Sequence, residues 1–161
     1  MPSVTIYASF TGLITDEVDA HDQRVPPIQN SVDISKNASY SMQLRLRTNG
    51  KAVVVDIADS CEGYGGKQVD LSIYDSLSNY KGSIRFQHIL PAAPLQVGQW
   101  IYSGHILGAC HPQIPNHACY VNSASAHTHF QVLGGAISWP PAMCGMYAPV
   151  TDGVTAIVTF T

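Results

Sequence analysis

The chain has 161 residues, enough for one domain with a substantial core of its own. Hydrophobic residues make up 45% and charged residues 12%, about half the usual charged share, which excludes a disordered chain and a charge-laced coiled coil. Eight Lys and Arg against 11 Asp and Glu give a formal charge of -3, and bases so few and so scattered hold neither nucleic acid nor an anionic membrane surface.

Residues 1–7 lack a basic n-region and an apolar h-region, so no signal peptide is expected there, and no run of 18 apolar residues spans a bilayer. Val4 to Phe10 reads as the first strand. Asp16, Glu17, Asp19 and Asp22 around His21 read as a solvated acidic loop, with calcium or zinc binding as the alternative. Met42, Leu44 and Leu46 alternate with polar residues, as do Val69, Leu71 and Ile73, and the habit continues through Ile84-Arg85-Phe86-Gln87-His88. Ala52 to Val55 reads as a fully buried strand and Gly153 to Phe160 as a closing β-branched strand. Turn signals separate these runs at Asn49-Gly50, Gly63-Tyr64-Gly65-Gly66, Lys81-Gly82, Val97-Gly98-Gln99, Gly134-Gly135 and Asp152-Gly153. The expected fold is therefore all-β, an antiparallel sheet or sandwich with little helix, in a single domain over residues 1–161.

Four cysteines form an even set without the C-x-x-C spacing of zinc ribbons or thioredoxins. Cys110 and Cys119 flank a short loop, which favours local pairing and leaves Cys61 with Cys144; four buried free thiols are the alternative. Two disulfides imply an oxidising compartment. Trp100 and Trp139 read as core or hairpin packing rather than sugar platforms.

Six of the seven histidines lie between His88 and His129. In His127-Thr128-His129-Phe130-Gln131-Val132 the strand period places His127 and His129 on one face, where two imidazoles can share a metal or divide between metal and substrate. Taken by itself the pattern also fits two outward polar histidines over a buried Phe130 and Val132 face. His105, His111 and His117 recur every six residues around the Cys110 to Cys119 loop and read as exposed loop polarity or as a groove rim.

Read together, Ser31-Val32-Asp33-Ile34, Gly63-Tyr64-Gly65, Phe86-Gln87-His88-Ile89-Leu90, the segment from Gly98-Gln99 to Gly104 and Gly108, and His127-Thr128-His129-Phe130-Gln131-Val132 stand in the order of a known family's landmarks. Over residues 28–132 the chain resembles the lysostaphin-like, or LytM-type, zinc endopeptidases that cut bacterial cell walls. The resemblance implies a LytM-type β architecture, Asp33 and His129 as zinc ligands, and His88 and His127 as the catalytic histidines that orient a metal-bound water and stabilise the oxyanion. It also implies a secreted, extracellular or periplasmic chain.

The family's first ligand histidine falls at residue 29, where this sequence has Gln29, a neutral amide that zinc rarely accepts in place of imidazole. Ser31 stands where the family has Gly and Gln131 where it usually has Glu. His21, eight residues upstream of Gln29, could swing in as a replacement ligand, although nothing in the spacing requires it. Zinc is thus expected to be held weakly or not at all. The favoured expectation is a degenerate peptidase-like domain that binds a cell-wall peptide, glycan or protein partner without catalysis. The alternatives are an active zinc endopeptidase cleaving peptidoglycan cross-bridges, and an unrelated secreted β-sandwich adhesin or inhibitor.

Overall fold

A computed structural model of the protein describes residues 2–23, 29–35, 43–60, 66–111 and 127–161, apart from the side chains of His21 and Asp22. In chain order these residues form β1 (Val4–Tyr7), β2 (Gly12–Asp16), α1 (Val18–Asp22), β3 (Ser31–Ser35), β4 (Gln43–Arg45), β5 (Lys51–Asp59), β6 (Lys67–Tyr74), β7 (Tyr80–Pro91), β8 (Trp100–Tyr102), β9 (Ile106–Cys110), β10 (His127–Gly135) and β11 (Ile137–Ser138). A 3-10 turn over Pro141–Cys144, β12 (Pro149–Val150) and β13 (Ala156–Phe160) complete the chain. The protein is all-β and antiparallel apart from the five-residue α1 and that turn, and no described helix is long and apolar enough to cross a membrane.

Ten strands make the larger sheet, in the order β12-β2-β3-β10-β7-β6-β5-β8 with β4 and β9 branching from β7. The smaller sheet runs β1-β13-β11. Period-2 alternation explains the layering: Val32, Ile34, Val69, Leu71, Ile73, Ile84, Phe86 and Phe130 all point to one face of the larger sheet and are buried there. Val4, Ile6, Val158 and Phe160 project together from the smaller sheet through the pairs Val4 with Phe160 and Ile6 with Val158. Phe160 meets the larger sheet where it has no side chain, since a Cβ placed on Gly82 would lie 2.5 Å from the Phe160 ring. The other face of the larger sheet carries the polar residues of each strand.

Several expected features differ from this arrangement. The acidic stretch holds α1 rather than only a loop, because Val18 is buried and gives one turn an anchor. Residues 52–55 are not covered on both sides: Ala52 and Val54 are buried, whereas Val55 is exposed on the polar face. Lys81-Gly82 lies inside β7, where its glycine admits Phe160 instead of turning the chain. The closing strand starts at Ala156, and Trp100 stands on the open face, 45% exposed.

The cysteines differ too. Cys110 and Cys144 are free thiols, so neither the Cys110–Cys119 nor the Cys61–Cys144 disulfide is formed; Cys61 and Cys119 lie outside the described residues. Cys110 points into the core from β9, opposite Ile89 of β7. Cys144 closes the 3-10 turn that packs on α1, whereas Ser60, at the end of β5, is separated from the neighbouring β2 by β6, β7, β10 and β3. Burial pushes the Cys110 thiol up to about 12, and desolvation, then Asp19 and Glu17, raise that of Cys144. At pH 8 the Cys110 thiolate is then only about one part in ten thousand. Iodoacetamide is expected to label Cys144 in the native protein and to spare Cys110 until denaturant is added, as read by peptide mass mapping. Equal labelling of the two would show that β9 opens readily.

Candidate functional site

The polar face of the larger sheet brings together Asp33, His88, His127 and His129. β10 pairs with β3 so that His127 lies opposite Ser35, His129 opposite Asp33 and Gln131 opposite Ser31. Directly opposed residues share a face, and the intervening Phe130 and Val132 go to the core. His129 Nδ1 is 2.7 Å from Asp33 Oδ1, and His127 Nε2 is 3.8 Å from Asp33 Oδ2. An ionised carboxylate has no proton to give, so the His129 Nδ1–H donates to Asp33. All three side chains are buried.

His88 reaches the same place by a different device. Simple alternation from Ile84 and Phe86 would send it into the core. Instead β6 pairs Val69 with Phe86 and Lys67 with Ile89, so Gln87 and His88 together stand opposite Gln68. This bulge keeps Phe86 and Ile89 buried while both intervening residues turn to the polar face. His88 takes φ +61, a left-handed conformation that costs a non-glycine residue about 1 kcal/mol or more. Its ring centroid lies 5.1 Å from that of His127 and 6.5 Å from that of His129.

Gln29 is not drawn into this cluster. Strict alternation would put residues 29, 31 and 33 on one face, but Asn30 adopts φ +55 and breaks it. The Gln29 side chain is exposed, and its backbone carbonyl accepts a 3.4 Å hydrogen bond from Gln131 Nε2. Asp33 and His129, the two zinc ligands that the resemblance implies, are hydrogen-bonded to each other. Among the described residues no three His, Cys, Asp or Glu side chains are arranged to hold a metal ion. This donor set does not fit a tightly bound catalytic zinc, which needs three protein ligands.

No protein-family model, curated protein or solved structure matches the chain.

The remaining expected residues are dispersed. His111 lies next to His88, whose carbonyl accepts the His111 N–H at 2.8 Å. His105 sits at the other end of β9, six residues or about 20 Å of strand away, with its N–H on the Tyr102 carbonyl. His117 and the side chain of His21 lie outside the described residues. The sequence did not single out the polar floor beside the histidines. Gln87 pairs with His129, Gln131 with Arg85, and Arg85 makes a bidentate ion pair with Asp70 at 2.8 Å. Gln87 Nε2 also donates to Gln68 Oε1 at 3.3 Å. Asp16 of β2 stands opposite Asp33 after a bulge at Thr15, a register that alternation does not reveal.

Proposed function

We propose that the chain is a degenerate LytM-type domain that binds a bacterial cell-wall peptide on its polar sheet face without cleaving it. The observation that carries this is the state of Asp33: its carboxylate accepts from His129 and faces His127, while residue 29 points to solvent. A metallopeptidase would need that carboxylate and His129 turned to a common ion together with a third donor. Imidazoles and the Gln68, Gln87 and Gln131 amides, carried on adjacent paired strands, suit the alternating donors and acceptors of a peptide backbone. Such a ligand lies outside the cytoplasm, so this reading implies a secreted or periplasmic chain. That placement rests on the ligand and the resemblance, since Cys110 and Cys144 are free thiols.

Purified peptidoglycan sacculi test it by co-sedimentation, with chromatography of the released muropeptides as the readout of cleavage. Wild-type protein is expected to sediment with sacculi and release nothing, with or without added zinc. The His127→Ala/His129→Ala double variant should bind at least tenfold more weakly, and circular dichroism would report whether it remains folded. Release of new peptide amino termini on adding zinc would revive the peptidase alternative. Absence of sedimentation would favour an unrelated adhesin or inhibitor.

A further inference from the structure

About 26 Å along β7 from His88, at the other end of the same sheet face, lies a second polar and aromatic cluster. Four strands build it through one row of pairs: Tyr80 with Tyr74, Tyr74 with Lys51, and Lys51 with Tyr102. Trp100 occupies the next row, opposite Val53, with its ring centroid 5.1 Å from that of Tyr74. Tyr80, Trp100 and Tyr102 are 57%, 45% and 59% exposed, so three aromatic rings face solvent within one patch. Beside them is an open hollow of about 270 Å³ lined by Asn49, Gly50, Lys51, Ser76 and Tyr102.

We propose that this hollow binds a saccharide, a single sugar ring carrying a carboxylate, with Tyr102 as the stacking surface and Lys51 as the charge partner. Its size is just below the usual range of ligand pockets and suits one ring. Exposed aromatic faces beside hydroxyl and amide groups match a pyranose, which has an apolar C–H face and a polar rim. The charge is also specific. The Lys51 ammonium stands 5.2 Å over the Trp100 ring and donates to Ser78 Oγ at 2.6 Å, which holds the long side chain in place. No acidic side chain lines the hollow among the described residues. The nearby Asp75 is turned into its own loop, where it accepts from the Leu77 and Asn79 backbone N–H groups, each at 2.9 Å, and from the Asn79 amide. One fixed cation with no counter-carboxylate complements a singly charged carboxylate; a phosphate dianion would call for several donors.

The same turn pre-forms one wall. Asp75 satisfies the backbone from Leu77 to Asn79, so Ser76 and Ser78 are presented on an ordered loop and little ordering is lost on binding. The proposal is independent of the histidine groove, and either can fail without the other.

Glucuronate and glucose differ only in the carboxylate, and their binding can be followed by nuclear magnetic resonance through the indole N–H of Trp100. Glucuronate is expected to bind at least tenfold more tightly than glucose. Tyr102→Ala should weaken glucuronate at least tenfold, Lys51→Gln should abolish the preference over glucose, and His129→Ala should change neither. The indole signal of Trp139, whose ring packs 6.3 Å from Phe130, reports whether each variant keeps its core. Equal affinity for the two sugars, the same shifts with acetate as with glucuronate, or full binding by Tyr102→Ala in a folded protein would each overturn the proposal.

Discussion

Gln29→His is expected to raise zinc affinity about a hundredfold or more over wild type, measured by competition against a chromophoric chelator. Structural zinc sites bind with about 10–16 kcal/mol shared among four ligands, or about 3 kcal/mol each, and 1.4 kcal/mol is a factor of ten. Wild type offers Asp33 and His129, joined by a hydrogen bond that an incoming ion must break. A histidine at residue 29 would supply the third donor, a second imidazole beside that of His129. The backbone opposes part of this gain, because Asn30 at φ +55 directs residue 29 outward. Adding Asn30→Val, a β-branched residue that disfavours positive φ, in the Gln29→His background should turn residue 29 inward and increase the gain. Tight, stoichiometric zinc binding by wild type would show that the site is complete without a histidine at residue 29.

The parts of this site that follow strict alternation are legible in the sequence. Val32 and Ile34 against Asp33, and Phe130 and Val132 against His127 and His129, separate core from polar face with no knowledge of the partners, and antiparallel pairing then brings Asp33 beside His129. The parts that depend on a break in alternation are not legible. Nothing in Phe86-Gln87-His88-Ile89 announces that two residues will oppose the single Gln68, yet that bulge decides whether His88 is a core residue or a site residue. Asn30 and the Thr15 bulge act in the same way on Gln29 and Asp16. Burial on both faces is equally hidden: Val53 and Val55 look like their neighbours but face the open side, as Trp100 does, because β5 and β8 form the uncovered margin of the sheet. Cysteine spacing misleads for a related reason. Sequence proximity favoured a Cys110–Cys119 bridge, whereas the alternation of β9 turns Cys110 into the core.

Phe160→Ala is expected to destabilise the protein by about 3–5 kcal/mol, as read by urea denaturation. For a domain of ordinary stability, about 5–15 kcal/mol, that is a large share from the next-to-last residue of the sequence. Phe160 is fully buried, pairs with Val4 across β1 and β13, and fills the space over Gly82 and Gly135 that no other side chain occupies. Deleting its ring leaves a cavity between two sheets whose hydrogen-bonded backbones cannot collapse to fill it. Gly82→Val attacks the same contact from the opposite side. Its Cβ would lie 2.5 Å from the Phe160 ring and 2.3 Å from the Gly134 carbonyl oxygen, and the backbone oxygen, fixed in the β7–β10 pairing, has little room to move. Overpacking there should cost about 3 kcal/mol. If both losses arise at one contact, the Gly82→Val/Phe160→Ala double variant should be more stable than the sum of the singles by about 0.5–3 kcal/mol, because the smaller residue at 160 makes room for the valine. Strict additivity, or a Phe160→Ala loss below about 1 kcal/mol, would mean that the smaller sheet is held to the larger one by other contacts.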